Sequence, residues 1–368
     1  MDQSRLCLLA LHFIPGVGDR LARQLISYCG SAENVFKTPK GKLLKIPGIG
    51  STTAESILTH RPFELAETEL RKAEKEKVSI RFYQDKEYPS RLKNIPDAPS
   101  LLYCKGSINF ENPKAVAIVG TRKSTPYGKE CIEQLIAQLV PHNALIISGL
   151  AYGIDIQAHK QSVKHSLQTI GVMGSGIDII YPAAHAETAK GMQAHGGLVT
   201  ENIFGTKPDA HNFPARNRII AGLCDVLVVV EAAEKGGALI TADLANSYNK
   251  DVFAFPGNIG ASHSEGCNNL IKSNKAHLLT TVKDLEYIMN WDLASKPVQK
   301  KEAFSLEGFE SDEQLVLKVL LEKNPTMLDE ISWKTNLSVS QLASLLLGLE
   351  FKGIVQSLPG KQYKLVHR

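Results

Sequence analysis

From residue 115 onward, short apolar runs alternate with longer stretches whose apolar positions recur at helical spacing. Continuous runs rich in Val, Ile and Ala are typical of strands buried on both faces, and the helical stretches between them would supply the cover. The pattern predicts an α/β fold built on a parallel sheet with helices on both sides. The predicted strands are 115–119, 144–148, 168–173, 197–200, 226–231 and 252–256.

The N-terminal segment contains a repeated glycine turn between helical patterns. Ile14-Pro-Gly-Val-Gly18 recurs as Ile46-Pro-Gly-Ile-Gly50. This is the helix-hairpin-helix pattern, in which backbone N–H groups at a helix N-terminus can bind phosphate. Arg20, Arg23 and Lys45 would support such binding. A helical module that serves only for packing is the alternative, and the residues leave both readings open.

The final segment shows three helical patterns and then two strand-like runs around Pro359-Gly360, which predicts a winged helix. The third helix reads duplex DNA in such domains, yet 335–351 contains no Lys or Arg. The pattern therefore favours packing or protein contact for this helix. The predicted domains are an N-terminal helical domain over 1–80, the α/β domain over 81–293, a linker over 294–310 and the winged helix over 311–368.

Composition narrows the classes of function. The chain has 368 residues, 43% of them hydrophobic and 22% charged, as in an ordinary globular protein. No apolar run approaches the roughly 20 residues that span a bilayer, and no signal peptide is evident, so we expect a cytoplasmic protein without membrane association. Six scattered cysteines without a CxxC pair argue against zinc and against disulfides. The net charge is only +4, and residues 113–293 carry 15 basic and 16 acidic side chains, so any polyanion site in the middle of the chain should be a local pocket.

Small residues follow most of the predicted strands. Gly120-Thr-Arg122, Ser148-Gly149, Gly174-Ser-Gly176, Gly236-Gly237 and Pro256-Gly257 all come directly or closely after an apolar run. Ligands of parallel sheets bind beyond the carboxyl ends of the strands. Small residues there let a ligand approach the backbone and leave helix N-termini free for anions. The five loops together predict a binding edge.

The stretch Asn212-Phe-Pro-Ala-Arg-Asn-Arg-Ile-Ile-Ala-Gly-Leu223 carries the strongest candidate chemistry. Phe213 offers a flat face to a nucleobase, while Arg216 and Arg218 can bind phosphate through their planar guanidinium groups. The competing interpretation is a helix that begins near Pro214 and whose arginines are only exposed to solvent. The lack of a broad basic face favours focused phosphate binding by both arginines, joined by Arg122.

Catalytic motifs fit this chain poorly. The spacing of Gly120 to Lys129 is wrong for a P-loop, and Ile179 stands where a dinucleotide-binding fingerprint requires its third glycine. Asp155 and His159 share a helix face and could be an acid/base pair or metal ligands, although a helix cap and a structural histidine are favoured. Glu201 and Glu231 could be catalytic, or could orient the arginines. We expect no enzymatic activity, no metal and no cofactor.

Five motifs resemble the DprA (Smf) family of DNA-processing proteins, through about 80–290. They are Gly120-Thr-Arg122, Ser148-Gly-Leu-Ala-Tyr-Gly-Ile-Asp155 with Ala158-His159, Phe213-Pro-Ala-Arg-Asn-Arg-Ile-Ile-Ala-Gly222, Gly236-Gly-Ala-Leu-Ile-Thr241 and Gly266-Cys-Asn-Asn-Leu-Ile271. The resemblance implies an extended Rossmann-like domain that binds single-stranded DNA, forms a homodimer and loads the RecA recombinase during natural transformation. Thr121 stands where the family commonly has Ser, which leaves Arg122 available.

The same resemblance implies a set of DNA-binding residues at the rim of the sheet. They are Arg122, Ser148, Gly149, Phe213, Arg216, Asn217, Arg218 and Lys272. Two other functions stay open on the residues alone. One is a nucleotide-processing enzyme of the lysine-decarboxylase-like, phosphoribohydrolase type, although Gly236-Gly237 lacks the motif that such enzymes carry. The other is a structural protein that binds a protein partner and no nucleic acid.

Overall fold

The structure is a computed structural model, and it describes residues 2–291, 306, 308–322, 324–358 and 361–366. The chain divides into two compact units, Met1–Leu293 and Ala294–Arg368. Most of the predicted linker, and the predicted turn at Pro359-Gly360, lie outside the described residues.

The first unit begins with helices and continues as alternating strands and helices. Its first part contains α1 (Gln3–His12), α2 (Asp19–Cys29), α3 (Ala32–Lys37), α4 (Lys40–Leu43), α5 (Ser51–Thr59), α6 (Phe63–Lys75), β1 (Ser79–Phe82), α7 (Ser90–Lys93) and β2 (Leu101–Gly106). Its second part contains β3 (Ala115–Val119), α8 (Pro126–Leu139), β4 (Leu145–Ser148), α9 (Ile154–Lys164), β5 (Thr169–Val172), α10 (Ala186–Met192), β6 (Gly196–Thr200), α11 (Asn212–Leu223), β7 (Val226–Val229), α12 (Gly237–Ser247), β8 (Asp251–Ala254), α13 (Glu265–Lys272), β9 (His277–Leu278) and α14 (Val282–Met289). Short 3₁₀ turns lie at Val140–His142 and Ala183–His185.

The nine strands of this unit form one sheet in the order β1-β2-β6-β5-β4-β3-β7-β8-β9. All pairs from β6 to β9 are parallel, and β1 and β2 add an antiparallel edge. The α/β prediction is confirmed, since each predicted apolar run contains a strand that is almost wholly buried. Strands β1 and β2 were not predicted, because the prolines between them (Pro89, Pro96 and Pro99) are typical of a polar connector.

The order of the strands contains a reversal at β3. The chain runs from β3 outward through β4, β5 and β6, and then returns to β7 on the other side of β3. Val119 of β3 therefore pairs with Val229 of β7, while Ala117 of β3 pairs with Ile147 of β4. The connections on the two sides of β3 leave in opposite directions. A crevice at the carboxyl end of β3 is the consequence.

The N-terminal helices pack directly on the sheet. Both glycine turns have the left-handed backbone that such hairpins need, with φ of +81° at Gly16 and +83° at Gly48. Leu9, Leu11 and Ile57 are fully buried and belong to the same apolar core as Phe82 of β1. This shared core makes the helices and the sheet one compact unit.

The second unit has the winged-helix arrangement that the pattern predicted. It contains α15 (Ser311–Glu322), β10 (Thr326–Met327), α16 (Leu328–Thr335), α17 (Val339–Phe351), β11 (Val355–Leu358) and β12 (Gln362–Leu365). The capping box at Ser338 and Gln341 is present, with each side chain bonded to the other residue's backbone N–H. Leu342, Leu346 and Leu349 of α17 are fully buried in a core of their own, which explains the leucine-rich sequence of this helix.

Candidate nucleic-acid interface

A pocket of about 630 Å³ opens at the carboxyl end of β3, where the strand order reverses. We call it the switch-point pocket. Its walls come from the loops after β3, β4 and β7, the loops before α10 and α11, and the first turns of α9, α11 and α12. Its lining includes Arg122, Tyr181, Phe213, Arg216, Asn217 and Lys235. The pocket lies at the edge where the glycine loops predicted a ligand.

Backbone contacts hold the loop that carries Arg122. The N–H of Thr121 donates to the carbonyl of Glu231 at 2.7 Å, and the N–H of Ile154 donates to the carbonyl of Thr121 at 3.1 Å. Gly153 has φ of +78°, and a Cβ there would lie 2.1 Å from the Thr121 oxygen and 2.5 Å from the Arg122 carbonyl carbon. Only glycine allows this approach. Arg122 is exposed, so its guanidinium is available to a ligand.

Two aromatic rings stand beside Arg122. Its guanidinium lies over the ring of Phe213, with 5.6 Å between Cζ and the ring centroid. The ring of Tyr181 lies 5.7 Å from that of Phe213, at an interplanar angle of 36°. Phe213 is half-buried and packs on Gly174, where a Cβ would lie 3.1 Å from its Cδ1. A cation and aromatic faces are therefore grouped in one wall of the pocket, as in sites for unstacked bases.

Arg216 lines the pocket as a buried residue. Its Nη1 donates to the carbonyls of Gly149 and Val172, and only 5% of the residue is exposed. A Cβ at Gly149 would lie 2.1 Å from this Nη1, so glycine makes the space for the guanidinium. Burial lowers the pKa of Arg216 to about 10, against the opposing effect of Asp155. Arg216 therefore stays charged at neutral pH and adds positive potential beneath the pocket.

Arg218 points away from the pocket, contrary to the expectation that both arginines would face a ligand together. Its Nη2 contacts a carboxylate oxygen of Glu201 and lies 3.2 Å from Oδ2 of Asp19 in the N-terminal helices. Residues two apart on a helix lie on opposite sides, because each residue turns the helix by about 100°. From the sequence alone, this two-residue spacing could have predicted that Arg216 and Arg218 would not face the same ligand.

The remaining predicted residues have separate placements. Asn217 is half-buried in the wall of the switch-point pocket. Ser148 is fully buried and donates its hydroxyl to the carbonyl of Ile118 at 2.6 Å. Lys272 is exposed in another recess, beside Asp243 and Lys275. The structure thus brings Arg122, Phe213, Arg216 and Asn217 together, with Gly149 behind Arg216, and places Ser148, Arg218 and Lys272 elsewhere.

Tyr181 and Lys235 line the pocket but were not among the predicted site residues. Tyr181 follows a glycine loop that the sequence did single out, and 49% of it is exposed. Lys235 is exposed and directly precedes Gly236-Gly237 at the start of α12. The N-cap Gly236 provides no side-chain cap, so the first N–H groups of α12 are open to an anion. The sequence signal that could have predicted Lys235 as a site residue was its position immediately before a glycine turn and the start of a helix.

The candidate acid/base residues have structural partners. The N–H of Gly149 donates to Asp155 at 3.2 Å, and His159 Nδ1 lies 2.7 Å from the Thr169 hydroxyl. Burial lowers the pKa of His159 to about 3, so the ring is neutral. Glu231 accepts hydrogen bonds from the N–H and hydroxyl of Thr125, and Glu201 contacts Arg218. Among the residues that the structure describes, no His, Cys, Asp and Glu side chains are grouped to hold a metal ion.

Comparison of the sequence with protein families gives three matches along the chain. The profile of DNA recombination-mediator protein A matches residues 79–290, which is more than half of the sequence. The profile of the DprA winged-helix domain matches 300–361, and that of the SAM-like helix-hairpin-helix tandem matches 8–60. Protein Smf of Synechocystis is 31% identical over 97% of this chain and 97% of its own length.

Two solved structures of the same group resemble this one. The X-ray structure of DNA processing protein A from Streptococcus pneumoniae aligns with a TM-score of 0.66 and 30% identity, covering 78% of this chain and 98% of that one. A structure of the protein of this name from Helicobacter pylori was described for its single-stranded DNA binding mode. It aligns with a TM-score of 0.53 and 29% identity, over 58% of this chain and 96% of that one. No helix within the described ranges is long and apolar enough to span a membrane.

Proposed function

The chain belongs to the DprA/Smf family of DNA-processing proteins, and we propose that it binds single-stranded DNA in the switch-point pocket. The observation that carries this proposal is the pairing of the exposed Arg122 with Phe213, 5.6 Å apart, at the reversal of the sheet. A cation beside an aromatic face matches the alternation of phosphates and bases along a single strand. The related Helicobacter pylori protein, described for its binding of single strands, supports the same choice.

Each pocket residue has a distinct role in this proposal. Arg122, Lys235 and the open N-terminus of α12 bind phosphates, and Phe213 stacks on a base. Arg216 lies beneath the pocket and does not contact a phosphate directly, because its Nη1 stays bonded to backbone carbonyls. Its buried positive charge attracts the DNA single strand. Asn217 can donate or accept a hydrogen bond at the wall of the pocket. These roles need no bond-breaking chemistry.

The cellular role that we propose is recombination mediation during natural transformation. A homodimer of the α/β domain would protect incoming single strands and load the RecA recombinase onto them. Family membership and the match to the recombination-mediator profile support this role. It is tested by following recombinase assembly on single strands coated with single-strand-binding protein, with and without this chain. A lack of stimulation by a chain that binds DNA would contradict the loading role alone.

Binding itself is tested by fluorescence anisotropy with labelled single-stranded and duplex oligonucleotides at two salt concentrations. We expect tighter binding of the single strand. Phe213→Ala should weaken it by ~1–3 kcal/mol, the usual effect of removing one stacking side chain. Tyr287→Ala is the matched aromatic control, since 88% of Tyr287 is exposed on α14 outside the pocket. Equal affinity of Phe213→Ala and the unaltered chain would refute the pocket assignment.

A further inference from the structure

We propose that Tyr181 is a second base-stacking residue, so that the switch-point pocket takes at least two consecutive unpaired bases. This inference rests on the proposed binding of single-stranded DNA and specifies the class of ligand. It follows from the position of Tyr181 beside Phe213, from its exposure and from the rigidity of the loop that carries it.

The distance between the two rings assigns them to different bases. Stacked bases are spaced by about 3.4 Å, so two rings that sandwich one base must be about 7 Å apart. The centroids of Tyr181 and Phe213 are only 5.7 Å apart, at an angle of 36°. No base fits between them. With no room for a base between them, the two rings cannot share one base, and each ring stacks on a base of its own.

Tyr181 has the more accessible ring of the pair. Phe213 is half-buried, packs on Gly174 and carries Arg122 over its ring, whereas 49% of Tyr181 is exposed. A nucleobase can reach Tyr181 without displacing the guanidinium. Arg122, next to the pair of rings, is in reach of the phosphate that joins the two bases.

The loop before Tyr181 is fixed by several hydrogen bonds. The hydroxyl of Ser175 donates to the carbonyl of Ile179 at 2.6 Å, and the N–H of Gly176 donates to the carbonyl of Thr206 at 2.9 Å. Ile177 is buried in the core, and the N–H of His185 donates to the carbonyl of Pro182 at 3.0 Å. A stacking surface that is already ordered loses little conformational entropy when a base binds.

Two stacking faces define the ligand more narrowly than one. A mononucleotide can satisfy only one ring. The interior bases of a duplex are paired and stacked on their neighbours, and unstacking them costs a few kcal/mol per step. A single strand of two or more nucleotides satisfies both rings without that cost. The pocket should therefore select single strands over duplexes and over free nucleotides.

The test measures the affinity of the full chain for a short labelled oligothymidylate, with Tyr181→Ala, Tyr181→Phe and the control Tyr287→Ala. Removal of one stacking ring should weaken binding about 5- to 100-fold. Tyr181→Phe should bind like the unaltered chain, because the ring is retained. Tyr287→Ala should also bind normally. Unfolding midpoints should agree among all four chains, since both tyrosines are exposed.

A single 2-aminopurine in the oligonucleotide gives a second readout. Stacking on a ring quenches the fluorescence of 2-aminopurine, which is placed at one position of the oligonucleotide at a time. We expect quenching at two adjacent positions, and recovery at one of them in Tyr181→Ala. Normal affinity and unchanged quenching in Tyr181→Ala, with lost affinity in Phe213→Ala, would overturn the second stacking site but not the proposed function. If the unaltered chain bound no single strand, the proposed function would fail first.

Discussion

The guanidinium of Arg218 contacts the carboxylate of Glu201 on the face of α11 that is turned away from the switch-point pocket. Asp19 approaches the same guanidinium at 3.2 Å and also accepts hydrogen bonds from the N–H and hydroxyl of Ser100. These contacts tie the N-terminal helices to the helix that carries Phe213. Arg218 therefore contributes to the packing of the first unit, while Arg122 lines the pocket.

Arg218→Ala should destabilise the fold. We expect the free energy of unfolding to fall by about 2 kcal/mol, because charge-assisted hydrogen bonds are lost from a side chain that is only 14% exposed. Urea denaturation measures this change. Arg71→Ala is the matched control, since Arg71 is 71% exposed and its pair with Glu67 should contribute at most about 0.5 kcal/mol. A stable Arg218→Ala chain that no longer bound DNA would instead place Arg218 in the DNA site.

The Glu201 carboxyl should make stability depend on pH. Burial raises its pKa from 4.5 to about 7, with Asp19 acting in the same direction and Arg218 opposing. Between these two values the folded chain holds a proton that the unfolded chain has released. The contribution of this group is thus complete below 4.5 and is lost as the pH rises through about 7. Urea midpoints of Glu201→Gln across this range should decline less than those of the unaltered chain. Parallel declines would contradict the raised pKa.

Arg122→Ala should weaken the binding of single strands and also reduce its salt dependence. The slope of log affinity against log salt should become shallower by about 0.7 for each phosphate contact that is lost. Anisotropy titrations over a series of salt concentrations measure the slope. Arg71→Ala removes the same charge from an exposed position on α6 and should leave the slope unchanged. Equal slopes for Arg122→Ala and Arg71→Ala would show that Arg122 touches no phosphate.

Gly153→Ala should damage the pocket through the backbone. A Cβ at this position clashes with the carbonyl of Thr121, and φ of +78° is strained for any other residue. We expect a loss of about 1–3 kcal/mol in stability and weaker binding, because the loop that carries Arg122 must move. Gly191→Ala is the control, since a Cβ there meets only Val163 at 3.6 Å. Thermal unfolding and anisotropy together decide the outcome, and normal values in both would refute the steric argument.

Lys235 and Lys272 provide a matched test of where the DNA path lies. Both are exposed lysines, but only Lys235 lines the switch-point pocket. We expect Lys235→Ala to weaken the binding of a short single strand more than Lys272→Ala does. The reverse order would move the path towards the recess between α12 and α13, as the family resemblance alone implied for Lys272.

The sequence by itself determined the layers of the fold and the edge that carries the pocket. Apolar runs such as 115–119 and 226–231, with helical patterns between them, indicated buried strands, and the glycines after them marked the edge of the sheet that carries the pocket. The sequence also predicted the repeated glycine turns and the leucine-rich helix α17, because turn conformation and helical burial depend on local residue type. The sequence pattern did not predict strands β1 and β2, because their pairing joins two segments that are separated by several prolines.

Only the tertiary structure decided which side chains line the switch-point pocket. Arg216 and Arg218 are two residues apart, yet one lies beneath the pocket and the other joins Asp19 nearly two hundred positions away. Tyr181 and Phe213 become neighbours because two loops of the sheet meet at the reversal beside β3. Such contacts arise from long-range packing, which fixes burial and partners after local propensity has fixed the elements.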